Sequence, residues 1–239
     1  MASDLQDAKM RVGYCYGQIT VLAAEIDRFI ASGAHAISQD VDSATGGGTF
    51  FIELTKPLPK LFSIQAGLIA HEMRATLDEL ACVLAARNGQ SADKVYFCVA
   101  RDKTTFEKDG IRNKLKKLSP KDQGTMASFK PWADGNPLLH ALHAIDLTRK
   151  HQRLIVTATG IGSLGIVNGT VTSLEWLGTG SLTAGQRQPF MRVGKGTFLE
   201  ANLGLDINFA EPTAIKGRPV AVVLRDFAAL TKSIIESFD

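Results

Sequence analysis

The sequence predicts an α+β fold: a helical bundle over about residues 1–152, packed with an antiparallel β-rich part over about 153–210 and closed by a C-terminal helix over about 220–238. Three observations carry this expectation. Up to Arg153, apolar residues recur at spacings of three and four, the period of a helix buried on one face. Beyond it the segments shorten and become rich in β-branched residues, with Gly, Asn and Ser between them. The last stretch returns to helical spacing through Val223, Phe227, Leu230, Ile234 and Phe238. No internal repeat and no interdomain linker interrupts the 239 residues, so 1–239 reads as a single domain.

Residues 5–32 form the first predicted helix, with Met10, Tyr14, Ile19, Leu22, Ile26 and Ile30 near helical spacing. Gly13 and Gly17 weaken its first half by about 1 kcal/mol each relative to Ala. Ser32-Gly33 ends it, as a left-handed glycine after a helix commonly does. Gln39–Gly48 reads as a polar, flexible linker; its three glycines are followed by neither GK[ST] nor a helix, which excludes a phosphate loop. Thr49–Thr55 is a strand, closed by Pro57 and Pro59. Leu61–Asn88 is the longest helical pattern, with Ile69, Met73, Leu77, Leu80 and Leu84 as its stripe and Gly89 as its stop.

Val95–Ala100 reads as a short strand. Residues 101–122 read as a solvated helical surface, because Lys114, Lys116 and Lys117 are offset by Asp102, Glu107, Asp109 and Asp122 and no aromatic interleaves with them. Ser119-Pro120 and Asn136-Pro137 each match a cap followed by proline at the first helical position. The second of them opens the helix 138–153. Strands are predicted at Leu154–Thr159, Gly165–Trp176, Gln188–Val193, Thr197–Ala201 and Leu203–Ala210, with a turn region at Glu211–Pro219.

Composition bounds the function more than it names it. Hydrophobic residues make up 45% and charged residues 21%, as in ordinary water-soluble proteins. A net charge of +3 is too small to imply nucleic acid by itself. Cys15, Cys82 and Cys98 show no metal or disulfide spacing and read as reduced, mostly buried thiols. The opening MASDLQDAKMR lacks a basic-then-apolar leader, and no apolar run nears the roughly 18 residues that span a bilayer. The expectation is a cytoplasmic protein that does not engage a membrane. Partners are left open, with a homodimer and a weakly supported nucleic acid among them.

Polar residues line two of the predicted helices. His71, Arg74 and Asp78 lie beside the stripe of 61–88, and His143, Asp146 and Lys150 beside that of 138–153. If the stripes pack together, Asp78 should reach Lys150, or Asp146 reach Arg74. Buried charge must be paired, so these residues read first as a satisfied network that fixes helix register. The functional reading is an anion or phosphate site, with Arg74 and Lys150 stabilising charge and His151, flanked by Arg149, Lys150 and Arg153, as the proton-transfer group. His140 and His143 lack a third ligand for a metal. There is no GxSxG and no GxGxxG after a strand, and no cofactor is implied.

These residues also carry a resemblance. IAHEMRATLDELACVLAARNG resembles the segment written "iaHnLRsaLDhLawqLa…nG" in a large group of uncharacterised bacterial and phage proteins. Tyr96-Phe97-Cys98-Val99, Leu118-Ser119-Pro120 with Phe129-Lys130-Pro131-Trp132, LHALHAIDLTRKHQRLIV, and INFAEP with KGRPVAVVLRDFAALTKSIIESF are similar to later segments of that group, over about residues 49–238. The matching positions are His71, Arg74, Leu77, Asp78, Asp146, Lys150 and His151. Arg149 stands where the group has an acid, and Gln152 where it has Arg. The resemblance implies a mixed helix–sheet fold and no established reaction. A weaker analogy to HEPN-type ribonucleases rests on Arg28 and His35. The expectation is a non-enzymatic binding or interaction module; the alternative is a metal-independent, HEPN-like ribonuclease or other phosphate-directed enzyme.

Overall fold

The structure, a computed structural model, describes residues 4–151, 156–178 and 180–239, leaving undescribed the side chains of 149–151, 156–167 and 198–203. Helix α1, Gln6–Ala31, buries Val12, Cys15, Ile19, Leu22 and Ile26 along one stripe. Helix α2, Lys60–Arg87, is buried around more of its circumference, from Phe62 and Ala66 to Leu84 and Ala85. That breadth follows from its position, because α1, α5 (Pro137–His151) and α6 (Val220–Glu236) all pack on it. Helices α1 and α2 run antiparallel: Gln65 donates to Glu25 at 2.7 Å, Arg11 pairs with Glu72 and Glu79, and Arg87 reaches Asp4. No described helix is long and apolar enough to cross a membrane.

The closing helix α6 follows its predicted stripe. Val223, Phe227, Ile234 and Phe238 are buried, and Leu230 is partly so. Arg87 donates to the Phe238 carbonyl at 2.5 Å, and Lys9 pairs with Asp239 at 2.6 Å. The last residues are therefore docked against α1 and α2.

The sheet differs from the expectation. Strands β1 (His35–Val41), β2 (Gly48–Leu54), β4 (Leu174–Trp176) and β5 (Arg187–Val193) form one antiparallel sheet in the order β1-β2-β5-β4. Half of it comes from an N-terminal hairpin rather than from the C-terminal part. Strand β1 replaces the start of the predicted linker 39–48, and the glycines become a turn and the first residue of β2. Asp42 organises that turn by accepting from Ala44 N–H at 2.9 Å and from the Thr45 hydroxyl at 2.6 Å. Arg187 ties three strands together: it holds Asp40 through two bonds of 2.6 and 2.8 Å and lies 3.9 Å over the Phe51 ring.

Strands β3 (Val156–Thr170) and β6 (Phe198–Phe209) form a separate antiparallel pair. Each fuses segments predicted apart, and the ladder absorbs Gly160–Gly162 by register shifts flanking Ile161. Residues 154 and 155 of the first predicted strand lie outside the described residues. One apolar cluster joins the helices to Ile207 and Phe209; a second lies under the sheet around Ile52, Phe190 and Leu205. Ile30 packs against both.

Val95–Ala100 is extended but is not a ladder strand; only Ala100 bridges, to Trp132. Its backbone finds partners on α2 instead. Phe97 N–H donates to Asp78 at 2.8 Å, and its carbonyl accepts from Arg74 at 2.7 Å. The predicted surface 101–122 holds a three-residue helix α3, Lys103–Thr105, and then a π-helix, Phe106–Lys114. Gly110 lets that π-helix sit on the extended segment: a Cβ there would lie 3.0 Å from Cys98 Sγ and 3.1 Å from the Phe106 ring. Helix α4, Pro120–Ser128, starts on Ser119 as the sequence predicts.

Candidate functional site

The helical spacing that puts His71, Arg74 and Asp78 on one side of α2 aims them at α5 and at the segment 95–99. Arg74 is only 5% exposed and is engaged on all sides. Nη1 donates to Asp78 at 2.7 Å, Nη2 to the Phe97 carbonyl at 2.7 Å, and Nε to His143 Nδ1 at 3.3 Å. Asp78 in turn accepts from Phe97 N–H, so an ion pair within α2 grips one residue of the extended segment at both its polar atoms. His71 Nδ1 lies 2.5 Å from Asp146 Oδ1 and ties α2 to α5.

Burial, and then the Arg74 charge, push His143 down to about 4. It is therefore neutral near pH 7. With Nδ1 accepting from Arg74, its proton sits on Nε2. Asp146 is 3% exposed, and its carboxylate meets the half-buried His71 ring.

Above this floor lies a cavity of about 330 Å³. Arg74, Asp78, His143 and Asp146 form its polar side; Phe97, Val99 and Leu147 are apolar; Lys94, Tyr96, Asn113 and Lys114 complete it. Two unusual backbone features deliver the lysines. Lys94 has a φ of +57°, a left-handed conformation that a non-glycine residue rarely adopts. The loop before it is pinned by Lys117, which donates to the Ser91 and Asp93 carbonyls at 3.1 and 2.6 Å. Lys114 and Asn113 end the π-helix, a form in which short stretches often mark functional sites. Among the described residues neither Lys94 nor Lys114 has an acidic partner within ion-pair distance.

Five of the sequence-predicted residues are thus brought together: His71, Arg74, Asp78, His143 and Asp146. Of the two pairs expected, the one between Asp146 and Arg74 is replaced. Arg74 gives its ion pair to Asp78, four residues on and on the same face, while Asp146 receives His71. The Asp78–Lys150 pair lies outside the described residues, since Lys150 and His151 are placed by backbone alone in the last turn of α5. The sequence does not mark Lys94, Tyr96, Asn113 and Lys114 as a site. Lys114 belongs to the predicted solvated run, and nothing local in the sequence announces a left-handed Lys94.

Among the described residues, no three His, Cys, Asp or Glu side chains are placed to hold a metal ion. Comparison with known families, curated proteins and solved structures finds no match to the chain.

Proposed function

We propose that the protein is a non-enzymatic binding module that takes a small anionic ligand with a flat or apolar part in this cavity. The observation that carries the reading is the pair of lysine ammoniums, Lys94 and Lys114, lining one cavity in which Arg74 is already ion-paired with Asp78. An anion there meets two cations whose charge no acidic partner within ion-pair distance offsets. Tyr96, Phe97 and Leu147 offer the apolar wall, and the neutral His143 offers an N–H donor.

The same geometry argues for binding over chemistry. The Arg74 donors are committed to protein acceptors, which leaves less for a developing charge. A histidine held near 4 is a weak base at neutral pH. We take the chain as a relative of the bacterial and phage group that its sequence resembles, acting in the cytoplasm, with its helices forming a bundle.

The test is a backbone NMR titration with adenosine 5′-monophosphate and with inorganic phosphate. The reading expects saturable shifts at Lys94, Tyr96, Asn113, Lys114 and His143. Shifts confined to other surfaces, or none, contradict it. Cleavage of RNA by the purified protein, lost in His151→Ala, would replace binding by catalysis.

A further inference from the structure

Away from the cavity, the antiparallel pair α1 and α2 turns an apolar face to solvent. Met10, Tyr14 and Val21 fall on one side of α1, at spacings of four and seven, and Leu61, Ile64 and Leu68 on one side of α2, at spacings of three and four. These six side chains are 48–62% exposed. Tyr14, Val21 and Leu68 line one groove of about 240 Å³, so the two stripes meet. Their open apolar area is on the order of 600 Å², the upper end of what a monomer leaves uncovered and most of the roughly 800 Å² each partner gives to a stable dimer.

Gly17 lies between Tyr14 and Val21 on the outer stripe. A Cβ there would meet nothing within 4 Å, so packing within the chain does not require a glycine. A second backbone approaching α1 would.

The charge at the ends of this face selects the occupant. Arg28 and Lys60 stand at one end and Asp7 at the other, and none of the three is ion-paired among the described residues. A two-fold axis through the middle of the face brings Arg28 and Lys60 of one copy toward Asp7 of the other, twice over. An interface between copies is self-complementary in this way.

We infer that this face is the interface of a homodimer, formed by α1 and α2 packing on the same two helices of a second copy. The test is sedimentation equilibrium of the full chain, with circular dichroism confirming that each variant is folded. The wild type should be a dimer, and Leu68→Glu a folded monomer. Arg28→Glu should weaken the dimer about tenfold, and Arg28→Glu combined with Asp7→Lys should restore it. Gly17→Ala should weaken association while raising the melting temperature of the monomeric Leu68→Glu background, because Ala is the better helix former. A monomeric wild type overturns the proposal, as does a dimer that survives Leu68→Glu. Failure of the charge swap to restore association removes the two-fold pairing.

Discussion

His71 Nδ1 and Asp146 Oδ1 lie 2.5 Å apart, joining the middle of α2 to α5 at the edge of the cavity that Asp146 lines. The carboxylate is almost wholly buried, while the imidazole is more than a third exposed. Removing the two partners should therefore cost differently. Asp146→Ala should lower stability by about 2–4 kcal/mol, since it empties a buried polar position in a network. His71→Ala should cost about 1 kcal/mol, because solvent screens and can replace the lost contact. Urea unfolding of both variants checks the order, and equal losses would contradict it.

His143 gives the fold a pH dependence of defined sign. Its ordinary value is 6.5, and burial holds it near 4 in the folded protein. The folded state thus favours the neutral ring, and the unfolded chain binds the proton first. The stability involved is fully present above pH 6.5 and is lost progressively as pH falls toward 4, by a few kcal/mol. Asp4, Asp40, Asp42 and Asp102 are shifted below the usual carboxylate value, mainly by hydrogen bonds that each accepts, and add their losses only at lower pH. Denaturant unfolding at pH 7 and pH 4.5 should show the drop, and His143→Gln should flatten it. An unchanged slope in that variant would assign the window to other groups.

Two glycines should respond in opposite ways to Ala. Gly110→Ala forces a methyl against Cys98 and Phe106, both buried, and should cost about 1–3 kcal/mol. It should also displace the π-helix and weaken any ligand held by Lys114. Gly124 sits within α4 with nothing within 4 Å of a new Cβ, so Gly124→Ala should stabilise by about 0.5–1 kcal/mol. Thermal unfolding of the pair is a direct comparison.

Cys15 is buried on the inner stripe of α1, and burial pushes its thiol up to about 12. Only the thiolate alkylates readily. Iodoacetamide at pH 8 should leave Cys15 unmodified in the folded protein and modify it at the rate of unfolding. Peptide mass mapping over time measures this, and rapid labelling under native conditions would show that the stripe opens locally.

The parts legible in the sequence are those whose signal is local. Helices α2 and α6 announce themselves by apolar stripes, and the starts of α4 and α5 by Ser119-Pro120 and Asn136-Pro137. The Asn136 carboxamide does cap α5, accepting from Leu139 N–H at 3.0 Å. Strand β1 is solvent-facing along nearly its whole length, so it lacks the alternation that reveals a half-buried strand. The segment 95–100 looks like a strand because it is apolar and extended, yet side chains of α2 satisfy it. The predicted polar line on α2 was visible because three- and four-residue spacings share a face. The lysines of the cavity were not, because Lys94 and Lys114 are 20 positions apart and meet only once Gly110 packs on Cys98.

Anion binding between Lys94 and Lys114 is measured by calorimetric titration of adenosine 5′-monophosphate into the wild type and into the Lys94→Ala, Lys114→Ala double variant. Both lysines are exposed and unpaired with acids among the described residues, so the double variant should keep its melting temperature within a degree or two. Saturable binding by the wild type is expected, weakened at least about tenfold in the variant and reduced by added salt. Equal affinity in the two proteins, or no binding by either, would contradict it.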